Sequence, residues 1–290
     1  MEIDIEKMRI ELKKGDAKRD AGLVEPTSIE KFRDISYGSH GIENTLDVYY
    51  PIGTSQKLPT LIHIHGGGFF YGDKELYRFY TMFLATQGFT VINFNYRLAP
   101  DHAYPAPLED INQVLQWMTA NSEEYYIDLD NLFLLGDSAG GQLTQQYATI
   151  ASNPNYQNLF DFQVPNIQFN AVGLNCGAYY IGNNIGSPDD FPYYLDGKMT
   201  DQLKAQLPVE QYITTNFPPA FVMTSSHDFL KETAIQFGQF LISKGNEVYF
   251  KIYQKTDGTP LNHVFHIDQK SSIARKCNLD QLDFFRKHMC

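Results

Sequence analysis

Cysteine is scarce in this sequence: Cys176, Cys277 and Cys290 are all there are among 290 residues. An odd trio cannot build a disulfide framework, which points to a reducing compartment. Basic residues are also in short supply, 23 Lys and Arg against 34 Asp and Glu, for a formal charge of −11. That balance repels phosphate backbones and anionic headgroups, and no Lys/Arg-rich run offsets it, so nucleic acid and membrane surfaces are excluded as partners. No apolar run approaches the ~18 residues of a membrane helix. The opening "MEIDIEKMRIELKKGDAKRD" is charged throughout and lacks the basic start, apolar stretch and cleavage site of a signal peptide. The expectation is therefore a cytoplasmic protein. Repeats and low-complexity tracts are absent as well, and the length suits one domain, residues 1–290, carrying an insertion.

What is present is alternation. Short β-branched and aromatic runs at 46–51, 60–65, 90–96, 132–136, 171–176, 220–226 and 247–253 are separated by helical spacing at 74–87, 107–120, 140–152, 229–243 and 271–288. This predicts a mostly parallel sheet covered on both faces by helices. Segments 32–37 and 45–51 read instead as an antiparallel pair at the leading edge. Cys176 in "AVGLNC" reads as a buried strand residue. In the last helix Leu279, Leu282 and Phe285 or Phe284 are expected to face inward, although such a helix can also form the seam of a homodimer. Two segments break the alternation: the polar arm 1–30 and the Gly-, Pro- and Tyr-rich stretch 178–217, which has a helical patch near 199–206. Long insertions between strands are commonly functional, so together they are expected to form a small cap above the carboxyl ends of the strands.

Two motifs sit where strands meet loops. The sequence "LFLLGDSAGG" at 132–141 places Ser138 in a G-x-S-x-G pattern between a strand and a helix, the pattern of a nucleophile elbow. Its flanking glycines let strand and helix approach closely while the hydroxyl is held exposed. The sequence "HIHGGGFFYGD" at 63–73 places three glycines after another strand. Their uncovered N–H groups suit an oxyanion, and Gly67, Gly68 and Ala139 are the expected donors. His65 reads as a loop-fixing residue and His63 as packed; a zinc site built on the pair lacks a third ligand.

With "HGGGF" at 65–69, "YRLAPDHAYPAPLED" at 96–110 and "GDSAGG" at 136–141, the chain resembles the hormone-sensitive-lipase-like branch of the α/β-hydrolases from about residue 43 onward. The resemblance implies an α/β-hydrolase fold, with a mainly parallel eight-stranded sheet and a small cap, and a triad in the order Ser, acid, His. Asp228 in "HDFLKE" takes the place of the family aspartate, and His263 in "HVFHI" that of the family histidine. Both depart from the family wording, since Phe229 follows the aspartate in place of proline and Val264 stands where glycine is usual. Glu232 and Asp257 remain alternative acids, and His227 and His266 alternative bases. Arg97 and Asp110 are expected to brace loops, and Asp137 to hold the loops beside it.

The implied activity is a serine carboxylesterase that passes through an acyl-enzyme on Ser138, with a small-molecule ester as partner and no metal or organic cofactor. Phe69, Phe70, Tyr71 and Tyr180 are candidate substrate contacts, with Tyr179, Phe191, Tyr193 and Tyr194 as further aromatic cap residues; core packing is the competing reading for all of them. The insertion lacks long apolar stretches, so short-chain acyl esters are expected in preference to triglycerides. An amidase of the kynurenine-formamidase type and a non-catalytic small-molecule receptor on the same fold stay open as alternatives. The presence of His263 counts against the receptor.

Overall fold

Strand β5 (Ile127–Asp137) shows how the core is organised. Leu132 and Leu134 point to one face of the sheet, Phe133 and Leu135 to the other, and all four are fully buried. A strand apolar on both sides has to lie inside a sheet covered on both faces. The computed structural model describes residues 4–181, 193–196 and 199–290, and in it β5 occupies the middle of an eight-stranded sheet. Its companions are β1 (Ile29–Ser36), β2 (Thr45–Pro51), β3 (Leu58–Ile64), β4 (Thr90–Phe94), β6 (Phe169–Asn175), β7 (Ala220–Ser225) and β8 (Val248–Tyr253). They run in the order β1-β2-β4-β3-β5-β6-β7-β8. Only the leading strands are antiparallel, β1 with β2 and β2 with β4. From β4 to β8 every pairing is parallel.

The helices are α1 (Ile5–Asp20), α2 (Arg78–Ala85), α3 (Ala106–Ala120), α4 (Ala139–Ser152), α5 (Pro154–Gln157), α6 (Asp201–Gln206), α7 (Lys231–Ser243) and α8 (Ser272–Arg286). Leu108, Ile111 and Leu115 of α3, Leu143 and Tyr147 of α4 and Phe237 and Leu241 of α7 bury against one face. Tyr80 and Leu84 of α2 and Leu282 and Phe285 of α8 bury against the other. Two cores thus flank the sheet, each large enough to fix its strands.

Leu279 departs from the inward stripe expected of α8: it is 39% exposed, while Leu282, Phe284 and Phe285 are buried. The inward stripe is Ala274, Cys277, Asn278, Gln281, Leu282 and Phe285, and position 279 lies about 100° around the helix from 278. Strand β5 begins five residues before the apolar run at 132, because Asp128, Leu129, Asp130 and Asn131 continue the strand where one side is still wet. Helix α1 buries no residue and is held down by polar contacts. Arg9 Nε donates to the Phe70 carbonyl at 2.8 Å and Arg9 Nη2 to that of Ala99 at 3.0 Å, while the Tyr71 hydroxyl donates to Asp16 at 2.6 Å. The arm therefore docks on the loop that follows β3. Among the described residues no helix is long and apolar enough to cross a membrane.

Candidate active site

Because the central strands are parallel, their carboxyl ends share one edge, and the loops leaving that edge are where chemistry can be assembled. Five of them carry the residues of interest. Ser138 leaves β5 and stands at the N-terminus of α4, with φ 53° and ψ −117°. A non-glycine residue in that region is strained and persists only when its surroundings force it. The surroundings do so here. A Cβ on Gly136 would lie 2.4 Å from the Gly140 carbonyl oxygen, and one on Gly140 would lie 2.1 Å from that of Ile64. The Ser138 N–H donates to the Asn175 carbonyl at 3.0 Å, and the Ser138 carbonyl accepts from the Ala178 N–H at 3.0 Å. The elbow is thereby clamped to the loop after β6.

The glycine loop after β3 turns through Gly67 at φ +120° and Gly68 at φ +61°. A side chain on Gly67 would collide with the Tyr71 carbonyl at 1.9 Å. The Gly67 carbonyl accepts from the Tyr71 N–H at 2.9 Å, which closes the turn. The N–H groups of Gly67, Gly68 and Ala139 meet no acceptor among the described residues. They are the uncommitted donors of this edge, and Ala139 adds the positive end of the α4 dipole.

Beneath the loop, Asp137 accepts a hydrogen bond from the Tyr77 hydroxyl at 2.8 Å, and that hydroxyl accepts in turn from the Gly66 N–H at 3.1 Å. One carboxylate thus ties β5 to the glycine loop through the residue that opens α2. Burial pushes the Asp137 carboxyl up, but the His63 ring 3.7 Å away, the nearby His266 and the Tyr77 hydroxyl outweigh it and hold the group below the usual carboxylate range. His65 donates from Nδ1 to the Gly66 carbonyl at 2.7 Å and stacks on Tyr96 at 4.1 Å between ring centroids. Burial holds His65 down to about 4, so it stays neutral and structural.

Asp228 lies just past β7 and His263 on the loop after β8. His263 Nδ1 donates to Asp228 Oδ1 at 2.7 Å. The same carboxylate accepts from the Thr224 hydroxyl at 2.8 Å and from the Leu230 N–H at 2.8 Å. Burial raises the Asp228 carboxyl, and the hydrogen bonds from His263 and Leu230, with the Cys176 thiol nearby, more than reverse this, so it remains an anion. With its Nδ1 proton committed to an anion, the imidazole presents Nε2 as a base.

The competing acids and bases are placed elsewhere. Glu232 is exposed on α7 beside Lys231, and Asp257 caps a turn by accepting from the Thr259 N–H at 2.9 Å. His227 is exposed and contacts Ser226, while His266 is fully buried and neither of its ring nitrogens has a hydrogen-bond partner among the described residues. Arg97 braces its loop as expected, with Nε 2.9 Å from Asp110 Oδ1 and Nη2 2.7 Å from Glu109.

The aromatic candidates divide. Phe69 is fully buried, stacked on Tyr194 at 3.9 Å, and Phe70 packs edge-on against Tyr193 at 5.2 Å. Core packing is therefore what the structure assigns to Phe69, which leaves no surface for a ligand. Tyr71 and Tyr180 keep partial exposure, whereas Tyr179 is buried against Phe237. Phe191 lies outside the described residues.

Three residues at this edge gave no strong signal in the sequence. Phe229 is 77% exposed and lies across the His263 ring at 4.4 Å. Tyr77 was hidden in an ordinary helical pattern. Cys176 is buried, as its apolar neighbours imply, yet it lies one residue beyond β6 with φ 48°, its thiol contacting Met223 Sδ at 3.9 Å and standing within 4.8 Å of an Asp228 carboxylate oxygen. Its position after a parallel strand was the available clue. It also lies between the parts, because residues on either side of it clamp Ser138 while its thiol stands within 4.8 Å of the partner of His263. A broad cleft of about 1090 Å³, lined by Leu129, Gln168, Pro219 and Cys290 among others, lies at the opposite sheet edge, away from all of these loops.

A family model described by its alpha/beta hydrolase fold matches residues 61–267, most of the chain and every loop just described. The chain belongs to the α/β-hydrolase family. Within that family its motifs are those of the hormone-sensitive-lipase-like branch. It is similar to esterase B of Lactobacillus rhamnosis, whose crystal structure with a C4-C4 SN3 tributyrin phosphonate superposes with a TM-score of 0.89 at 29% identity, covering 98% of this chain and 94% of that one. It is also similar to carboxylesterase NlhH of Mycobacterium tuberculosis, 28% identical over 222 residues, which are 69% of this chain and 66% of that protein. The tuliposide A-converting enzyme 2 of Tulipa gesneriana is 24% identical over 257 residues, or 80% of this chain and 64% of the plant protein. The chain thus matches just under two thirds of the length of these two curated relatives.

Proposed function

We propose that this α/β-hydrolase is a serine carboxylesterase for short-chain acyl esters. The observation that carries the reading is the 2.7 Å hydrogen bond from His263 to an ionised Asp228, on the same sheet edge as a strained Ser138 with no other assigned task. In the proposed cycle the Ser138 hydroxyl attacks the ester carbonyl and passes its proton to His263 Nε2. The N–H groups of Gly67, Gly68 and Ala139 receive the oxyanion. His263 then protonates the departing alcohol, leaving an acyl-enzyme. Water enters, gives its proton to His263, and releases the acid as Ser138 recovers the proton. Asp228 fixes the tautomer and steadies the imidazolium that forms in both halves.

The arm 1–30 and the insertion 178–217 form the proposed cap of this single domain, a reading supported by the contacts of Arg9 and Asp16 with the glycine-loop segment. Among the aromatic candidates, Tyr71 and Tyr180 retain the surface to meet a substrate. The tributyrin phosphonate of the Lactobacillus relative supports acyl chains of about butyryl size. Three unpaired cysteines support a cytoplasmic setting.

The test is hydrolysis of para-nitrophenyl acetate and butyrate by the protein beside Ser138→Ala. The wild type should turn over, and the variant should fall by several orders of magnitude, to what donors and binding alone supply. Equal rates in the two proteins would remove Ser138 from the mechanism.

A further inference from the structure

Cys176 is a nucleophilic, metal-seeking group that the proposed cycle does not use, and it stands beside the proposed base and the carboxylate that orients it. Its Sγ, an Asp228 carboxylate oxygen and a His263 ring nitrogen all lie within 4.8 Å of one another. All three side chains are anchored on the same sheet edge, after β6, β7 and β8. Cys176 is fully buried and Asp228 nearly so, while the His263 side chain is 17% exposed and gives the cluster its one face toward solvent.

We infer that Cys176, Asp228 and His263 form a binding site for a thiolate-seeking divalent cation, zinc above all, and that its occupation switches the esterase off. A thiolate, a carboxylate and an imidazole are a zinc donor set that leaves the fourth tetrahedral position for water. Bonds of about 2.0–2.3 Å would separate the ligand atoms by roughly 3.5 Å, so the cluster needs only a small opening of the His263–Asp228 contact. Charge balance favours the ion. A lone thiolate within 4.8 Å of the Asp228 carboxylate would bury two negative charges side by side. A dication cancels both charges and drives off the thiol proton, releasing one H⁺ to solvent for each ion bound.

Occupation also explains loss of activity without any change in fold. When His263 binds the ion through Nδ1, its ring proton moves to Nε2. Nε2 then has no lone pair to accept the Ser138 proton. This consequence rests on the proposed esterase cycle, whereas the site itself does not. Hard, oxygen-seeking Mg²⁺ and Ca²⁺ gain little from a sulfur ligand and should leave the protein unaffected.

Two readings test the site separately. In the first, Co²⁺ is titrated into the protein as a spectroscopic stand-in for zinc. One equivalent should produce near-ultraviolet thiolate-to-cobalt absorption, abolished in Cys176→Ser, which keeps a donor beside Asp228, and in Cys176→Ala. In the second, ester hydrolysis is followed against Zn²⁺, each protein normalised to its own metal-free rate. The zinc concentration that halves the rate should rise at least 10- to 100-fold in both variants, since losing even a supporting partner costs about that much. Absent absorption in the wild type, or equal zinc sensitivity in wild type and variants, overturns the proposal. Should the protein hydrolyse no ester at all, the cobalt spectrum still decides the site, so its failure is distinguishable from failure of the functional reading.

Discussion

At the scale of single residues, the proposed chemistry depends on which proton His263 carries. The Asp228 carboxylate holds the proton at Nδ1 and accepts as well from the Thr224 hydroxyl and the Leu230 N–H. Asp228→Asn keeps the size but offers an amide that can donate to Nδ1, which favours the tautomer with its proton on Nε2. The expected result is a drop in kcat on the order of 10³–10⁴-fold with KM little changed, the loss typical when a triad carries the wrong tautomer. Initial-rate kinetics on a butyrate ester decide it, and a loss below about tenfold would remove Asp228 from the orienting role. Ser138 was readable in the sequence because its motif is a backbone requirement: glycines on both sides of one hydroxyl. Asp228 and His263 needed the resemblance, since their local wording is altered by Phe229 and Val264. Cys176 was not readable as a site, because an apolar environment looks the same in sequence whether or not a carboxylate from another strand lies beside it.

At the scale of elements, the glycine loop and the elbow are joined by one hydroxyl. Tyr77, at the start of α2, accepts from the Gly66 N–H and donates to Asp137 at the end of β5. Tyr77→Phe keeps the ring contact with His63 and removes both bonds, leaving a buried N–H and a buried carboxylate each short of a partner. A stability loss of about 1–3 kcal/mol is expected. The glycine donors should also drift from the oxyanion position, so kcat should fall by roughly tenfold or more while KM moves less. Urea unfolding and steady-state kinetics measure the two effects, and an unchanged kcat would show that the loop keeps its aim without this tie. The elements themselves were largely legible. Helical spacing at 107–120 and 140–152 corresponds to α3 and α4 within a residue; α3 buries an apolar stripe of Leu108, Ile111, Val114 and Leu115, whereas α4 is buried nearly all round, Gln142, Thr144, Gln145, Gln146 and Thr149 included. The ends of β5 and α2 were less so. Asp128 pairs with Pro59 of β3, but residues 129–131 fall in an irregularity before the register resumes at Leu132, and α2 spans only Arg78–Ala85 because the residues before it are spent on loop bonds such as Leu76 N–H to Asp73.

At the scale of the whole molecule, two buried imidazoles make folding sensitive to acid. Burial holds both His65 and His266 down to about 4, against an ordinary value of 6.5. Around His266 stand Asp137, which favours its protonation, and His63, His263 and Arg19, which oppose it, with the edge of Tyr80 against its ring. As pH falls below about 6.5 the unfolded chain takes up protons on these histidines while the folded chain refuses them until about 4. The unfolded state therefore binds more protons across that window, and stability falls with falling pH. Each imidazole can account for on the order of 3 kcal/mol, complete by about pH 4. The carboxylates of Asp137 and Asp228 are held below their ordinary value of 3.8, so their contributions are present above that value and are lost only at lower pH. Among the described residues neither ring nitrogen of His266 has a hydrogen-bond partner, so His266→Phe removes the titration without stranding one of them and retains an aromatic ring against Tyr80. Urea midpoints taken from pH 7.5 to 4 should then decline less steeply in the variant, by about half of the histidine-linked loss. The same slope in both proteins would assign the acid sensitivity to groups other than His266.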